Sequence, residues 1–422
     1  MSRNLPHDLL SAAHKARNIE RGTDNKETWM AKKIVFDVEE YRRRIRKTQE
    51  RMDHQGMELL LVMDPANMNY LTGYDGWSFY VHQGLLLSLD DESPVWFGRE
   101  QDSNGARLTT WLDDDHIRGY PDKYVQSRYI HTMQFVAELL RERGWDRKRF
   151  GLEMDGYWFN ARMFVELDEH LHDADLIDGT NLVNWVKTVK SPPEIRYMRQ
   201  AARICEKVMK TAVDNIRVGA WEKDVTAMVV AAQIAGTDEY GGDSPAIFPI
   251  MPSAERTSTA HLTFDPDRKY QDGDVVMLEL AAARYHYHAP LSRTVYLGTP
   301  PADLQKVADV VVKGLNDTLG FIKPGVTAEE VEERWRSNLK GTGVEKPSRV
   351  GYSYGLNFVP DWGEHTVSLR PGDKTVLQPG MTIHFMPGIW LDTYGFECSE
   401  PFLVTETGCE KFIDFPEKLF VK

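Results

Sequence analysis

The sequence predicts an α/β (α+β) subunit built from two domains. Three observations predict it. The chain has 422 residues, more than one core of about 150 residues holds. Strand-like and helix-like runs alternate through the first 188 residues. Near Lys190 the phrase Ser191-Pro192-Pro193-Glu194 marks a boundary, and from Gly241 the texture turns to β with glycine and proline punctuation. The expected units are a polar arm over 1–35, an α/β domain over 36–188 and a second domain over 189–422.

Asp37 to Gly56 carries Tyr41, Ile45 and Met52 among many charges, a helical pattern. Leu59 to Met63 is a continuous apolar run ending at the turn-like Asp64-Pro65, and reads as a strand. Gly84 to Leu89 and Val95 to Phe97 flank the acidic turn Asp90-Asp91-Glu92 as a hairpin. Helices are expected at about 128–143 and 158–172, with a strand from Arg149 to Glu153 between them. Ser191 caps a long helix with proline in its first turn. Ile195, Met198, Ala202 and Cys205 are its inward candidates. A helix over about 220–235 follows. Asp274 to Leu280 reads as a strand interrupted by one acid, Glu279, and Arg293 to Leu297 as a second strand. Helices are expected at Leu304–Leu319 and Ala328–Leu339, and late strands at Met381–Ile389 and Phe402–Val404.

The composition narrows the function. With 64 acidic and 51 basic residues the formal net charge is −13, which disfavours nucleic acid and anionic membranes as partners. No run of 18 apolar residues is present. Residues 1–33 lack an apolar leader core, and only Cys205, Cys398 and Cys409 occur, so a reducing, cytoplasmic setting is expected.

Several phrases in the second half carry a resemblance. VKSPPEIRYMRQAARI, AHLTF before DGDVVMLEL, PLSRTVYLG and LQPGMTIHFMPGIW resemble the creatinase and aminopeptidase P family. The resemblance implies a creatinase-like N-terminal domain followed by a catalytic domain of the pita-bread fold. It places His261 where the family keeps an active-site histidine. Metallopeptidases of the family hold two metal ions through five carboxylate or imidazole ligands. Here those positions fall at Glu279, Pro290, Tyr352, Met386 and Ser399. Proline, methionine and serine do not make a hard, oxygen-rich site, so no metal and no cofactor are expected. Creatinase, a metal-free member, is matched at His261 and at Phe79, in a loop that reaches the partner subunit. Its catalytic glutamates fall at Ser292 and Met386, and its substrate-clamping arginines at Val81 and Glu364.

DPANMNYLTGYDGWSFYVHQ, GDSPAIFPIMPS, YSYGLNFVPDWGEHTVSLRPGD and HFMPGIWLD resemble the ectoine hydrolase branch of this family. That resemblance implies hydrolytic ring opening of the cyclic amidine ectoine, with the α-acetyl isomer of N-acetyl-diaminobutyrate favoured as product. It also implies a homodimer whose active site is completed by the partner's N-terminal domain. The substrate is already cationic, so hydrolysis needs a carboxylate, a proton shuttle and an aromatic wall rather than a Lewis acid. Glu279, on a buried strand, is expected to attack the amidinium carbon or to activate water. His261 is the expected acid–base group. Trp77, Phe79 and Tyr80 offer π faces. Tyr352, Trp362, Glu364 and Glu400 are further substrate-binding candidates. Arg256, Arg284 and Arg293 are candidates for the substrate carboxylate, with Arg293 reading as structural. Cys398 reads as a buried thiol, and the pair His286 and His288 lacks a third ligand. The rival readings are hydrolysis of another amidine or guanidine, a Xaa-Pro-type metallopeptidase rebuilt on Glu279, His261, Glu397 and Glu400, and a degenerate binding module.

Overall fold

The computed structural model describes residues 32–422. The expected polar arm lies outside the described residues up to residue 31. A six-stranded sheet forms the first layer, in the order Ile117–Tyr120, Val95–Arg99, Gly84–Ser88, Leu59–Val62, Arg149–Leu152, Asp175–Asp178. Leu59–Val62 runs antiparallel to Gly84–Ser88 and parallel to Arg149–Leu152. Its four residues are all buried because both faces are covered, which explains the unbroken apolar run. Leu60 and Val62 face the core shared with helix Val38–His54. Leu59 and Leu61 face helices Thr132–Glu142 and Ala161–His170.

The expected helices at 128–143 and 158–172 are shorter than their apolar stretches suggest. His131 and Asn160 accept hydrogen bonds from the first-turn N–H groups and so fix both starts. Asp64-Pro65 is not a simple turn. Asp64 caps helix Pro65–Thr72, and Pro65 occupies its first position. Strands Ile117–Tyr120 and Asp175–Asp178 carry little apolar signal and were not anticipated.

After residue 190, helix Pro192–Asn215 opens with Glu194 accepting the Ser191 N–H at 2.8 Å. Met198, Ala202 and Cys205 are buried, and Ile195 is half-buried. The helix packs on a long hairpin, Val275–Arg284 with Tyr287–Tyr296. The second hairpin strand begins six residues before Arg293, because Tyr285 and His286 take the left-handed turn (φ 48° and 61°) that reverses the chain. In its register Glu279 faces Ser292 and Ala281 faces Pro290.

A five-stranded sheet of the second domain runs Gly363–Ser368, Gly351–Tyr354, Thr382–Phe385, Glu400–Val404, Cys409–Lys411. The expected strand Met381–Ile389 breaks after Phe385, at Met386-Pro387-Gly388. The hairpin and this sheet are stitched together where Ser399 N–H donates to the Ser292 carbonyl at 3.1 Å. In return the Ser292 N–H donates to Ser399 Oγ at 2.7 Å. No helix among the described residues is long and apolar enough to cross a membrane.

Candidate active site

Glu279 sits mid-strand, its backbone paired on the second edge by Ile250. Its side chain is buried, and no cation pairs with it among the described residues. Burial pushes its carboxyl well above the usual carboxylate range, and the neighbouring Glu397 and Asp361 carboxylates push the same way. Glu397 is fully buried, and neither of its carboxylate oxygens has a hydrogen-bond partner. Burial raises it to about 7, against the opposing pull of Lys346. Two acids thus share one buried space, opposite a Ser292 hydroxyl that also lacks a partner.

A hydrogen-bonded chain lines the other side. His384 Nε2 lies 2.8 Å from Ser399 Oγ, and Nδ1 lies 3.1 Å from the Tyr352 hydroxyl. Trp362 Nε1–H donates to the same hydroxyl at 2.9 Å. Burial, then the Arg349 cation, push His384 down to about 3, so the ring is neutral. Ser399 Oγ already accepts the Ser292 N–H. If Ser399 donates to Nε2, Nδ1–H donates to Tyr352, and both ring nitrogens and the Ser399 hydroxyl are satisfied. Tyr352 then accepts twice, and its own proton is left to point at a ligand.

Other predicted residues are held elsewhere. His261 is exposed on the loop after the short turn Ala254–Ser258, with no hydrogen bond to Glu279. Glu364 is buried against Lys190 Nζ at 2.6 Å. Glu400 is buried against Arg293. Both acids are therefore taken up by buried cations. Phe79 packs on Trp77, Trp158 and Phe358; Trp77 itself is 75% exposed and Tyr80 60%. Arg256 donates to the Thr263 carbonyl and Arg284 to the Gly241 carbonyl, each at 3.0 Å. Arg293 is structural: it also donates to the carbonyls of Ser292, Ser399, Phe415 and Pro416. Cys398 is a buried thiol pushed up to about 12. His286 contacts Asp75, whereas His288 accepts the Ala246 N–H.

Sequence reasoning missed His384 and Arg349, and gave Glu397 only to a rebuilt metal site. His384 hides inside an apolar strand. Glu397 and Glu400 flank Ser399 alike in the sequence; only the fold shows that Glu400 is paired with Arg293 while Glu397 is left beside Glu279.

The donor set does not fit a pair of metal ions. Pro290 and Met386 offer no oxygen or nitrogen ligand, and Ser399 is hydrogen-bonded to His384 and Ser292. Among the described residues the one cluster with ligand atoms close enough to share an ion is Glu166, Glu169 and His170, on a helix of the first domain.

A creatinase-type first domain joined to a catalytic domain carrying buried acids is the class that fold and site define. Residues 196–406 match metallopeptidase family M24, and residues 44–189 match the creatinase/prolidase N-terminal domain. The chain belongs to this family. It is 42% identical over 396 residues to an ectoine hydrolase of Halomonas elongata, covering 92% of this chain and 99% of that protein. An uncharacterized hydrolase/peptidase of Sinorhizobium fredii is also 42% identical, over 389 residues, with the same coverage of both chains. A dipeptidase structure from Pyrococcus horikoshii superposes with a TM-score of 0.76 at 20% identity, covering 90% of this chain and 100% of that one. At that identity the likeness concerns the fold.

Proposed function

We infer that this chain is an ectoine hydrolase. It adds water across the cyclic amidine and opens the ring to N-alpha-acetyl-L-2,4-diaminobutyrate. The observation that carries the reading is the buried, unpaired Glu279 beside Glu397, under the wall of Tyr352 and Trp362. Such a pair favours the ionised form only when a cation enters, and an amidinium is a flat cation that suits both the acids and the rings. The identity to the Halomonas enzyme over nearly both chains supports the same substrate.

On binding, the amidinium lowers the Glu279 pKa and the carboxylate attacks the amidinium carbon. The carbon–nitrogen bond to the terminal amine then breaks, that nitrogen leaves with a proton, and the carbon stays bound to Glu279 as an imidate-type ester. Water held by Glu397 and Ser292 adds to this carbon and gives up its protons to Glu397 and solvent; its oxygen becomes the acetyl oxygen, and Glu279 leaves as the carboxylate. His261 is the proposed proton donor, since an exposed imidazole exchanges protons with solvent. Tyr352 donates a hydrogen bond to the reacting group. Catalysis is proposed to need no metal, and the working unit to be a cytoplasmic homodimer in which the partner's aromatic loop completes the pocket.

Incubation of chelator-treated protein with ectoine, followed by mass and NMR analysis, tests this. Gain of one water with ring opening is expected. Glu279→Gln is expected to lower kcat by about 10³-fold or more. Activity that appears only on addition of a divalent metal overturns the metal-free reading, and no turnover under either condition overturns the substrate.

A further inference from the structure

Ectoine carries a carboxylate as well as an amidinium, and each arginine predicted to bind it is held by the protein's own carbonyls or acids. Arg349 is not. Its guanidinium lies 4.5 Å from the centre of the Tyr352 ring, the ring whose hydroxyl is fixed by Trp362 and His384. It is exposed, and it makes no ion pair or hydrogen bond among the described residues. It lines a cleft of about 350 Å³ together with Tyr352, Asp361, Gly363, His365 and Arg370. Its charge is felt by His384, Asp361 and Lys346, and Asp361, on the same cleft, bears in turn on the Glu279 carboxyl. Asp361 is already held by His365 at 2.8 Å and by the Gly363 N–H. Arg370, the second cation of the cleft, donates to Ser368 Oγ.

We propose that Arg349 binds the substrate carboxylate and so restricts the enzyme to cyclic amidines that carry one. The proposal rests on the ectoine-hydrolase reading. A guanidinium stacked on Tyr352 holds its donors in a plane and offers two of them to one carboxylate. The negative end of the zwitterion then faces Arg349 while its amidinium faces Glu279 and Glu397. The dipole is oriented and the reacting carbon is presented to the buried acid.

The test compares ectoine with 2-methyl-1,4,5,6-tetrahydropyrimidine, the same ring without the carboxylate, on wild type, Arg349→Gln, Arg349→Lys and Arg370→Gln. For Arg349→Gln the KM for ectoine is expected to rise about 10- to 100-fold, the value of a charge-assisted hydrogen-bonded pair, with kcat within about threefold. The KM for the ring analogue is expected to stay within about twofold, and Arg349→Lys to restore part of the ectoine affinity. Equal losses on both substrates, or no loss on either, overturn the proposal, and a selective loss confined to Arg370→Gln transfers the role to that residue. Wild type inactive on ectoine would instead sink the substrate assignment, so the two failures are distinct.

Discussion

Glu397 shows how a single residue trades stability for function. A fully buried carboxylate with both oxygens unpartnered is costly when charged. Unfolded, it ionises near pH 4.5; folded, it keeps its proton to about pH 7. Between these values the folded state holds more protons than the unfolded one, so stability falls as pH rises through the window. Glu153 and Glu400, also raised to about 7, act in the same direction. Glu397→Gln is therefore expected to flatten this decline and to stabilise the protein at pH 8 by roughly 1–3 kcal/mol, read by urea unfolding at pH 5 and pH 8. The same variant is expected to lose about 10²-fold in kcat, because the amide cannot take a proton from water. A wild-type pH slope in the variant would show that the acid is solvated after all.

At the scale of elements, a buried ion pair joins the segment between the domains to the catalytic sheet. Lys190 lies next to Val189, which bridges to Met381, and it donates to Glu364 on strand Gly363–Ser368. Burial pushes Lys190 down and Glu364 up, and each charge opposes the shift of its partner. Lys190→Met strands Glu364 as an unpaired buried acid and is expected to cost about 3–5 kcal/mol in denaturant unfolding. Lys190→Met with Glu364→Leu is expected to recover most of that loss, because the pair's desolvation largely offsets its attraction. Full additivity of the two single changes would contradict this coupling. No periodicity in the sequence announces such a pair, since its members are 174 residues apart. What was legible is local: the cap at Ser191, the acid at Glu279 in an apolar strand, and Tyr352 and Trp362 in the phrase that sets this branch apart. His384 and Arg349 were not legible, because their roles come from packing against Tyr352 rather than from their neighbours in the chain.

For the whole molecule, the aromatic loop poses the remaining question of assembly. Trp77 and Tyr80 are exposed, whereas Phe79 between them packs on Trp158 and Phe358 of its own protomer. Phe358 in turn stacks on His286 at 4.0 Å. The loop is thus anchored by one ring and presents two to solvent, an arrangement that wastes apolar surface in an isolated subunit. A two-fold dimer in which each loop roofs the other protomer's pocket would bury that surface and add π faces to the amidinium site. Trp77→Ala with Tyr80→Ala would then unroof the partner's pocket while leaving the variant protomer's own Glu279 intact. Co-expression of this double variant with Glu279→Gln is expected to restore about a quarter of wild-type activity, because mixed dimers form half the population and each holds one complete site. Sedimentation should give a dimer for all species. A mixture no more active than its two parents would place the loop on its own subunit's pocket.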